Sequence, residues 1–298
     1  MTRTYASPEA FKQALESHVR AAAQQRAFPV ARMRQLFVAE RLLVRLHARF
    51  GDRIIAKGGL ALEMRLSRAR TTRDLEVRLN GSVPSLLEDL VSAVATEQSD
   101  WLVFRIQADE THPTIEGDGV VYEGYRFVAR ATLAGKPYGD PFGVDVAFGD
   151  VLTEGPDLVE GSDVLSFTGA GRPRFQIYPR AAHIAEKVHA YTLPRPRENS
   201  RVKDLPDIAL LATTGSFSAH ALRAALEATF LLRGSHALPE RLPPPPTSWV
   251  ARYLTMATSD DLNWKTLDAV YEAAQKFVDP LLSGTAATWD PVTWRWIP

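Results

Sequence analysis

The stretch TTRDLEVRL, residues 71–79, sets two acidic residues into an apolar pattern. Apolar residues alternate with Asp74 and Glu76, and this period of two predicts a β-strand with both carboxylates on one face. Paired carboxylates suit Mg²⁺, which binds oxygen ligands and is commonly shared with substrate phosphates. The alternative is a half-exposed edge strand with a solvated charged face, and the segment by itself does not exclude it.

A glycine pair precedes this strand in RIIAKGG, residues 53–59. A short strand that enters a glycine turn and then a helix can bring backbone N–H groups and a helix amino terminus to a phosphate. Lys57, Gly58 and Gly59 are therefore predicted to hold a nucleotide phosphate. Neither the glycine pair nor the paired acids are specific alone, but their order and spacing predict a nucleotide–metal site.

Asp145 is the acid that best fits as a third metal ligand. It stands between two valines in FGVDVAFGD, residues 142–150, where a charge without a partner is unfavourable. A third carboxylate would complete a two-metal arrangement. The alternative is that an arginine satisfies Asp145, and the sequence leaves both open. Asp140 and Asp150 flank turns and are predicted to be turn residues.

Two segments of the carboxy-terminal half, HIAEKVHAYT and RVKDLPDIALL, read as helices that carry further charges. Asp204 and Asp207 share a helix face at i,i+3 and repel each other unless a cation lies between them. Lys187 is predicted to be that cation, and Arg201 lies one turn before Asp204. The alternative is a solvated surface salt bridge of little value.

The overall composition narrows the classes of function. The 35 basic and 35 acidic residues cancel, so a contact with nucleic acid must come from local patches. There is no cysteine, which excludes disulfides, thiol catalysis and cysteine metal sites. His183 and His189 lack the carboxylate–histidine spacing typical of zinc and are interpreted as helix-interface residues. Since the sequence has no apolar leader and no long apolar segment, a cytoplasmic protein without membrane contact is expected.

The order of the patterns predicts an α+β fold. Strand patterns dominate residues 101–150, whereas helical patterns follow Ile177. We therefore predict a domain of residues 1–176, with a mixed sheet and flanking helices, and an all-helical domain of residues 177–298. A cleft between the two would be a common place for a ligand.

Four blocks in this order resemble the AbiEii/MenT-type nucleotidyltransferase family, namely KGGLALEMRL with TTRDLEVRL, then VDVAFGD, AEKVHAYT and RVKDLPDIALL. These proteins are the toxins of type IV toxin–antitoxin systems and belong to the DNA polymerase β-like nucleotidyltransferase superfamily. The blocks span roughly residues 55–213. The resemblance implies a nucleotidyltransferase core in the first domain and a helical second domain that completes the active-site cleft.

The resemblance also implies a role for individual residues. Gly58 and Gly59 become the phosphate-holding turn, Thr72 the hydroxyl before the acids, and Lys187 the lysine that contacts the triphosphate. The residues predicted to be catalytic are Asp74, Glu76, Asp145, Lys187 and Asp207. Those predicted to bind the nucleotide are Lys57, Gly58, Gly59, Thr72, Arg73, Arg201 and Asp204, and those predicted to bind metal are Asp74, Glu76 and Asp145.

The activity that the resemblance implies is Mg²⁺-dependent transfer of a nucleotide from an NTP to RNA. The 3′ end of tRNA is the expected acceptor, which would block translation, and a cognate antitoxin is the expected partner. One alternative is a small-molecule acceptor such as an aminoglycoside, against which the arginines near the acids argue. Another is a non-catalytic nucleotide- or RNA-binding module, which Glu76 in place of aspartate favours. Pro206, between the two acids of the last block, predicts either a tolerated first-turn proline or a kink.

Overall fold

The computed structural model describes residues 5–66, 72, 74–81, 83–117, 120–150, 152–195 and 199–298. Its helices are α1 (Pro8–Gln25), α2 (Val30–Phe50), α3 (Gly58–Arg65), α4 (Leu86–Ala95), α5 (Arg180–Thr192), α6 (Asp204–Ala212), α7 (Ala219–Arg233), α8 (Trp249–Ser259) and α9 (Leu267–Leu282). Its strands are β1 (Ile54–Lys57), β2 (Leu75–Leu79), β3 (Val103–Ala108), β4 (Thr114–Gly117), β5 (Val120–Leu133), β6 (Lys136–Pro137), β7 (Phe142–Ala147), β8 (Asp157–Glu160), β9 (Arg174–Ile177), β10 (Phe217–Ser218), β11 (Thr288–Asp290) and β12 (Arg295–Ile297).

Local sequence signals account for several helix ends. The Ser7 side chain accepts a hydrogen bond from the N–H of Ala10, which caps α1 directly before a first-turn proline. Helix α2 stops at Gly51, whose φ of +58° is accessible to glycine at little cost. The Thr266 side chain caps α9 in the same way as Ser7 caps α1. In the described ranges, no helix combines the length and the apolar character needed to cross a bilayer.

The large sheet is mixed and has the strand order β3-β5-β7-β2-β1-β9-β8, with β4 and β6 paired to β5. The β2–β7 and β1–β9 pairs are parallel, and β1–β2 and β5–β7 are antiparallel. Strand β2 therefore lies inside the sheet between β1 and β7, and the alternative of a half-exposed edge strand is wrong. Leu75, Val77 and Leu79 are buried, while Glu76 and Arg78 on the other face are partly exposed.

Two large clusters of buried apolar side chains form most of the interior of the described residues, beside a small third cluster of Ile55, Tyr178 and Ala182. One joins helices α1–α4 to the large sheet, from Phe11 to Ile177. The other joins helices α5–α9 and the small sheet, and it also contains Leu62 of α3. Helix α3 thus has a side chain in the helical cluster although it starts from a strand of the large sheet. The division into domains at residues 176 and 177 remains a prediction.

A small sheet of strand order β10-β11-β12 covers one side of the helices. Trp289 of β11 is fully buried, and its ring centroid lies 4.8 Å from that of Phe277 in α9. The indole N–H of Trp289 donates to the carbonyl of Ala212, the last residue of α6, at 2.9 Å. We call residues 288–297 the tryptophan clasp. It braces the carboxy-terminal end of α6, the helix that carries Asp204 and Asp207.

Candidate active site

Four charged residues form a row across the large sheet. Lys57 of β1 is in register with Glu76 of β2, Glu76 with Asp145 of β7, and Asp145 with Arg126 of β5. Residues in direct register on neighbouring strands project from the same face of a sheet. Asp74 precedes Glu76 by two residues and therefore lies on that side too. The fold thus brings the three predicted metal carboxylates to one face.

This face is one wall of a cleft of about 960 Å³, and helices α5 and α8 with the start of α6 supply the opposite wall. The predicted site residues that line the cleft are Lys57, Gly58, Thr72, Asp74, Glu76, Asp145, Lys187, Arg201 and Asp204. Gly59 and Asp207 are buried behind this surface. Arg73 lies outside the described residues, so its predicted nucleotide contact stays a prediction.

The glycine pair is required by the close approach of two side chains. A Cβ at Gly58 would lie 2.3 Å from the carboxyl carbon of Glu76, and the φ of Gly58 is +64°. A Cβ at Gly59 would lie 2.6 Å from both the Cβ and Oγ1 of Thr72. Any larger residue would displace these neighbours. The turn therefore seats the Glu76 carboxylate at the amino terminus of α3, where the helix dipole favours a negative charge.

Asp74 and Glu76 have an environment that fits a divalent cation. Asp74 accepts a hydrogen bond from the N–H of Gly143 at 3.2 Å. Within the described part of the chain, neither carboxylate forms an ion pair with a basic side chain. Two such acids beside each other repel unless a cation joins them, and an oxygen-only pair suits Mg²⁺. A group of three or more metal-ligating side chains is not found among the described residues.

Asp145 is paired with Arg126. The guanidinium donates from Nε to Oδ1 at 2.8 Å and from a terminal nitrogen to Oδ2 at 3.0 Å. These hydrogen bonds raise the pKa of Arg126. The two alternatives for Asp145 were a metal ligand and a carboxylate satisfied by an arginine, and the arginine pairing is present. The pair lies on the same face of the sheet as Glu76. A role as metal ligand or base would require Arg126 to release the carboxylate, and that role remains a prediction.

The predicted cation between the two acids of α6 is present on the opposite wall. The ammonium of Lys187 lies 3.1 Å from Asp204 and 2.9 Å from Asp207. Burial opposes the ionisation of Asp204, but Lys187 and Arg201 lower its pKa below the ordinary value. Pro206 lies in the first turn of α6, where backbone N–H groups have no intrahelical partner, so it does not interrupt the helix. These contacts fix the Lys187 ammonium at the cleft.

Glu63 of α3 supports the cleft residue Thr72, and its role was not predicted from the sequence. It is 2% exposed and accepts a hydrogen bond from the backbone N–H of Thr72 at 2.8 Å. It also forms an ion pair of 3.0 Å with Arg32 of α2, and Arg32 lies 3.8 Å from Asp260 at the end of α8. Glu63 therefore positions Thr72 at the cleft. The sequence feature that could have indicated this role is an acidic residue inside the apolar segment LALEMRL.

The ammonium of Lys57 is engaged by protein carboxylates. It lies 2.7 Å from Asp150 and 3.2 Å from Glu186, and Arg233 of α7 lies 2.8 Å from Asp150. Burial opposes the charge on Lys57, but Glu186 and Asp150 raise its pKa well above the ordinary value. Asp150 is 3% exposed, so its prediction as an ordinary turn residue is wrong. We call Lys57, Asp150, Glu186 and Arg233 the buried ion cluster.

Comparison with known proteins identifies the family. The sequence profile described as "Nucleotidyl transferase AbiEii toxin, Type IV TA system" matches residues 41–290. The chain belongs to the AbiEii family. The AbiEii resemblance of the four sequence blocks is thereby confirmed, and membership implies an antitoxin partner and an NTP substrate.

A solved structure shows the same fold. MenT4, a nucleotidyltransferase toxin from Mycobacterium tuberculosis, shares 16% identity with this AbiEii protein over 94% of this chain and 92% of its own, with a TM-score of 0.51. JHP933 from Helicobacter pylori shares 15% identity over 83% of this chain and 96% of its own, with a TM-score of 0.44. No curated protein sequence matches the chain. The match to MenT4 confirms the predicted α+β fold.

Proposed function

We propose that this AbiEii protein is a Mg²⁺-dependent nucleotidyltransferase that transfers a nucleotide from an NTP to the 3′ end of tRNA and so blocks translation. One observation carries the proposal. Asp74 and Glu76 on the sheet and Lys187 on the helices, far apart in the sequence, line opposite walls of one cleft. A tRNA acceptor places the reaction in the cytoplasm, and a cognate antitoxin is the expected partner.

In this mechanism the residues of the sheet wall bind the metal and the phosphates. Asp74 and Glu76 would hold Mg²⁺, which supplies charge neutralisation to the triphosphate when it is bound. The Gly58 turn would place backbone N–H groups of α3 near the same phosphates. Thr72 is held by Glu63 at the edge of this surface. The two carboxylates, the Gly58 turn and Thr72 are in place without substrate. Electrostatic catalysis requires groups that are positioned in advance in this way.

On the helical wall, Lys187 would neutralise charge that develops on the departing pyrophosphate. Its ammonium is fixed by Asp204 and Asp207, so it does not need to reorganise during the reaction. Asp145 would receive the proton of the attacking hydroxyl or join the metal site after Arg126 moves away. The domain division at residues 176 and 177 then separates the metal-binding wall from the lysine wall.

The rim of the cleft favours an acceptor that carries phosphates. Arg201, Lys203 and Arg252 line the helical side of the cleft, and Lys203 and Arg252 are exposed. Basic side chains bind RNA phosphates irrespective of base sequence. A polyamine acceptor such as an aminoglycoside would instead require an acidic rim. The exposed Lys203 and Arg252 support an RNA acceptor, although Asp204 and Asp260 also line the helical side of the cleft.

The test is nucleotide transfer by the purified protein. Total tRNA, Mg²⁺ and each NTP labelled at the α-phosphate are incubated with the unmodified protein, with Asp74→Asn, and with Asp268→Asn as control. Asp268 is an exposed acid in the first turn of α9 and does not line the cleft. We expect label on tRNA with the unmodified protein and with Asp268→Asn, and no label with Asp74→Asn or after chelation of divalent cations.

Other outcomes would contradict the proposal. Undiminished transfer by Asp74→Asn would remove the metal assignment, and label on a small molecule in place of RNA would remove the acceptor. NTP binding without any transfer would identify a non-catalytic module. The pairing of Asp145 with Arg126 is the observation that favours this second candidate, because it occupies the third carboxylate.

A further inference from the structure

His183 of α5 is an imidazole in the cleft that the fold itself does not satisfy. It lines the cleft, and it is 2% exposed. Neither Nδ1 nor Nε2 has a hydrogen-bond partner among the described residues. A buried polar group without a hydrogen-bond partner destabilises the folded protein, because its lost hydration is not replaced. Such groups are rare in folded proteins, so each one needs an explanation. A bound ligand would supply the partner.

His189, on the same helix, shows the usual arrangement. It is 1% exposed, and its Nε2 lies 2.8 Å from the Oγ of Ser235. It does not line the cleft. The fold therefore provides a partner for the buried histidine that faces away from the cleft and none for the one that faces into it. This contrast indicates that His183 is directed at something other than the protein.

The position of His183 places it beside the two elements proposed to hold the triphosphate. It precedes Lys187 by four residues on one face of α5, about 6 Å along the helix axis. Strands β1 and β9 are parallel neighbours, with Ala56 in register with Ile177, so α3 and α5 start side by side. His183, in the first turns of α5, thus lines the same cleft as Gly58 and Lys187.

We propose that His183 is a substrate-binding residue that donates an N–H hydrogen bond to a phosphate oxygen of the NTP, in the cleft that Gly58 and Lys187 also line. This inference rests on the proposed nucleotidyl transfer. Burial first, and then the neighbouring Lys187, lower the pKa of His183 well below its ordinary value. The ring is thus neutral at pH 7 and keeps one N–H donor.

The charges around His183 favour a phosphate over a nucleobase. Lys187, Arg65 and Lys57 all act on the ring as positive charges, and Asp207 opposes them. Three basic groups thus outnumber the one acidic group that acts on the ring, and each of the three also pairs with a carboxylate of the protein. A contact with a phosphate would serve every NTP alike, whereas a contact with a base would discriminate among them. This difference separates the two possibilities by experiment.

The experiment measures binding of inorganic triphosphate and of the four NTPs, with Mg²⁺, by isothermal titration calorimetry. It compares the unmodified protein with His183→Leu, which removes the donor, and His183→Gln, which retains an N–H at similar reach. His189→Leu is the matched control. Thermal unfolding without nucleotide and the transfer rate over a range of NTP concentrations are measured on the same samples.

For His183→Leu we expect affinity to fall about tenfold for inorganic triphosphate and for all four NTPs, the equivalent of one lost hydrogen bond. His183→Gln should recover part of the lost affinity. The loss should raise KM more than it lowers kcat, and Tm without nucleotide should not fall, because two buried nitrogens without partners are removed. His189→Leu should retain triphosphate affinity and lower Tm.

Three results would overturn the inference. Unchanged triphosphate affinity in His183→Leu would make His183 an interior residue. A loss confined to one NTP would assign it to the base. If the unmodified protein bound neither triphosphate nor NTP, the proposed function would fail together with the inference, and this outcome is distinct from the first two because it appears before any substitution is made.

Discussion

Gly58 is the residue at which strand β1 turns into helix α3 and at which Glu76 comes closest to that turn. A glutamate reaches one methylene further than an aspartate would from the same strand position. The Glu76 carboxylate consequently lies against the Cα of Gly58. Gly58 has no side chain, and this leaves the room that the longer side chain of Glu76 needs.

A substitution at Gly58 tests this arrangement. Gly58→Ala should lower transfer to tRNA by at least tenfold, because its Cβ would displace the Glu76 carboxylate from 2.3 Å away. The matched control is Gly135→Ala, at a φ of +70° with no neighbouring atom within 4 Å. Both variants should lose about 1–2 kcal/mol of unfolding free energy from the left-handed backbone.

Transfer rates and urea unfolding of the two alanine variants check the prediction. The control should retain wild-type transfer at a comparable loss of stability. Equal transfer rates in Gly58→Ala and Gly135→Ala would contradict the close contact between the turn and Glu76.

At the scale of elements, α5 and α6 act as one unit. Their facing charges place a lysine between two acids, and this was readable from the sequence because i,i+3 and i,i+4 spacing fixes which residues share a helix face. The partner of Asp145 and the partners of Lys57 were not readable. They depend on the register of β5 with β7 and on packing of α7, which residue spacing within one segment does not determine.

The Lys187 pairing makes a distinctive prediction about stability. Lys187→Met should destabilise the protein by about 3–5 kcal/mol, because Asp204 and Asp207 would remain buried without the ammonium. The double variant Lys187→Met/Asp207→Asn should recover much of that stability while triphosphate binding stays weak. Urea unfolding and calorimetry separate the two effects. Wild-type triphosphate affinity in the stable double variant would exclude Lys187 from the substrate site.

At the scale of the whole molecule, the buried ion cluster joins the large sheet to the helices. It links β1 and the segment after β7 to α5 and α7 through Lys57, Asp150, Glu186 and Arg233. Burial opposes the ionisation of Asp150, but Lys57 and Arg233 lower its pKa below 3.8. The buried ion cluster therefore holds the sheet wall and the helical wall together through groups that are ionised at neutral pH.

Removing one member of the buried ion cluster should destabilise the protein strongly. Asp150→Asn should lose about 3–5 kcal/mol of unfolding free energy at pH 7, because Lys57 and Arg233 would lose a buried partner. Glu227→Gln, in an exposed ion pair of 2.7 Å with Arg223, should lose no more than about 0.5 kcal/mol. Urea unfolding of both variants gives the comparison.

The pH dependence of this effect has a definite sign. Because the pKa of Asp150 is lowered in the folded protein, its contribution is present above the unfolded value of 3.8 and is lost as the pH falls through the lowered value. The stability difference between the unmodified protein and Asp150→Asn should therefore shrink below pH 4. A difference that stays constant into acid would contradict the ion-cluster assignment.

The general architecture followed from the sequence, but the placement of its parts did not. Strand patterns before Ile177 and helical patterns after it predicted the α+β class, and the apolar alternation of residues 75–79 predicted β2. That β2 is a central strand depends on pairing with β7, about seventy residues later in the chain. Such non-local pairing is decided by the packing of the whole sheet and leaves little trace in a short segment.

The tryptophan clasp has a consequence for the order in which the protein is made. Synthesis runs from the amino terminus, so the sheet and its carboxylates leave the ribosome early. Residues 288–297, which brace α6 through Trp289 and Ala212, leave it long after α6 itself. Until then the helix that fixes Lys187 lacks its brace. The lysine wall is therefore secured only after the clasp has been made, later than the carboxylates of the sheet.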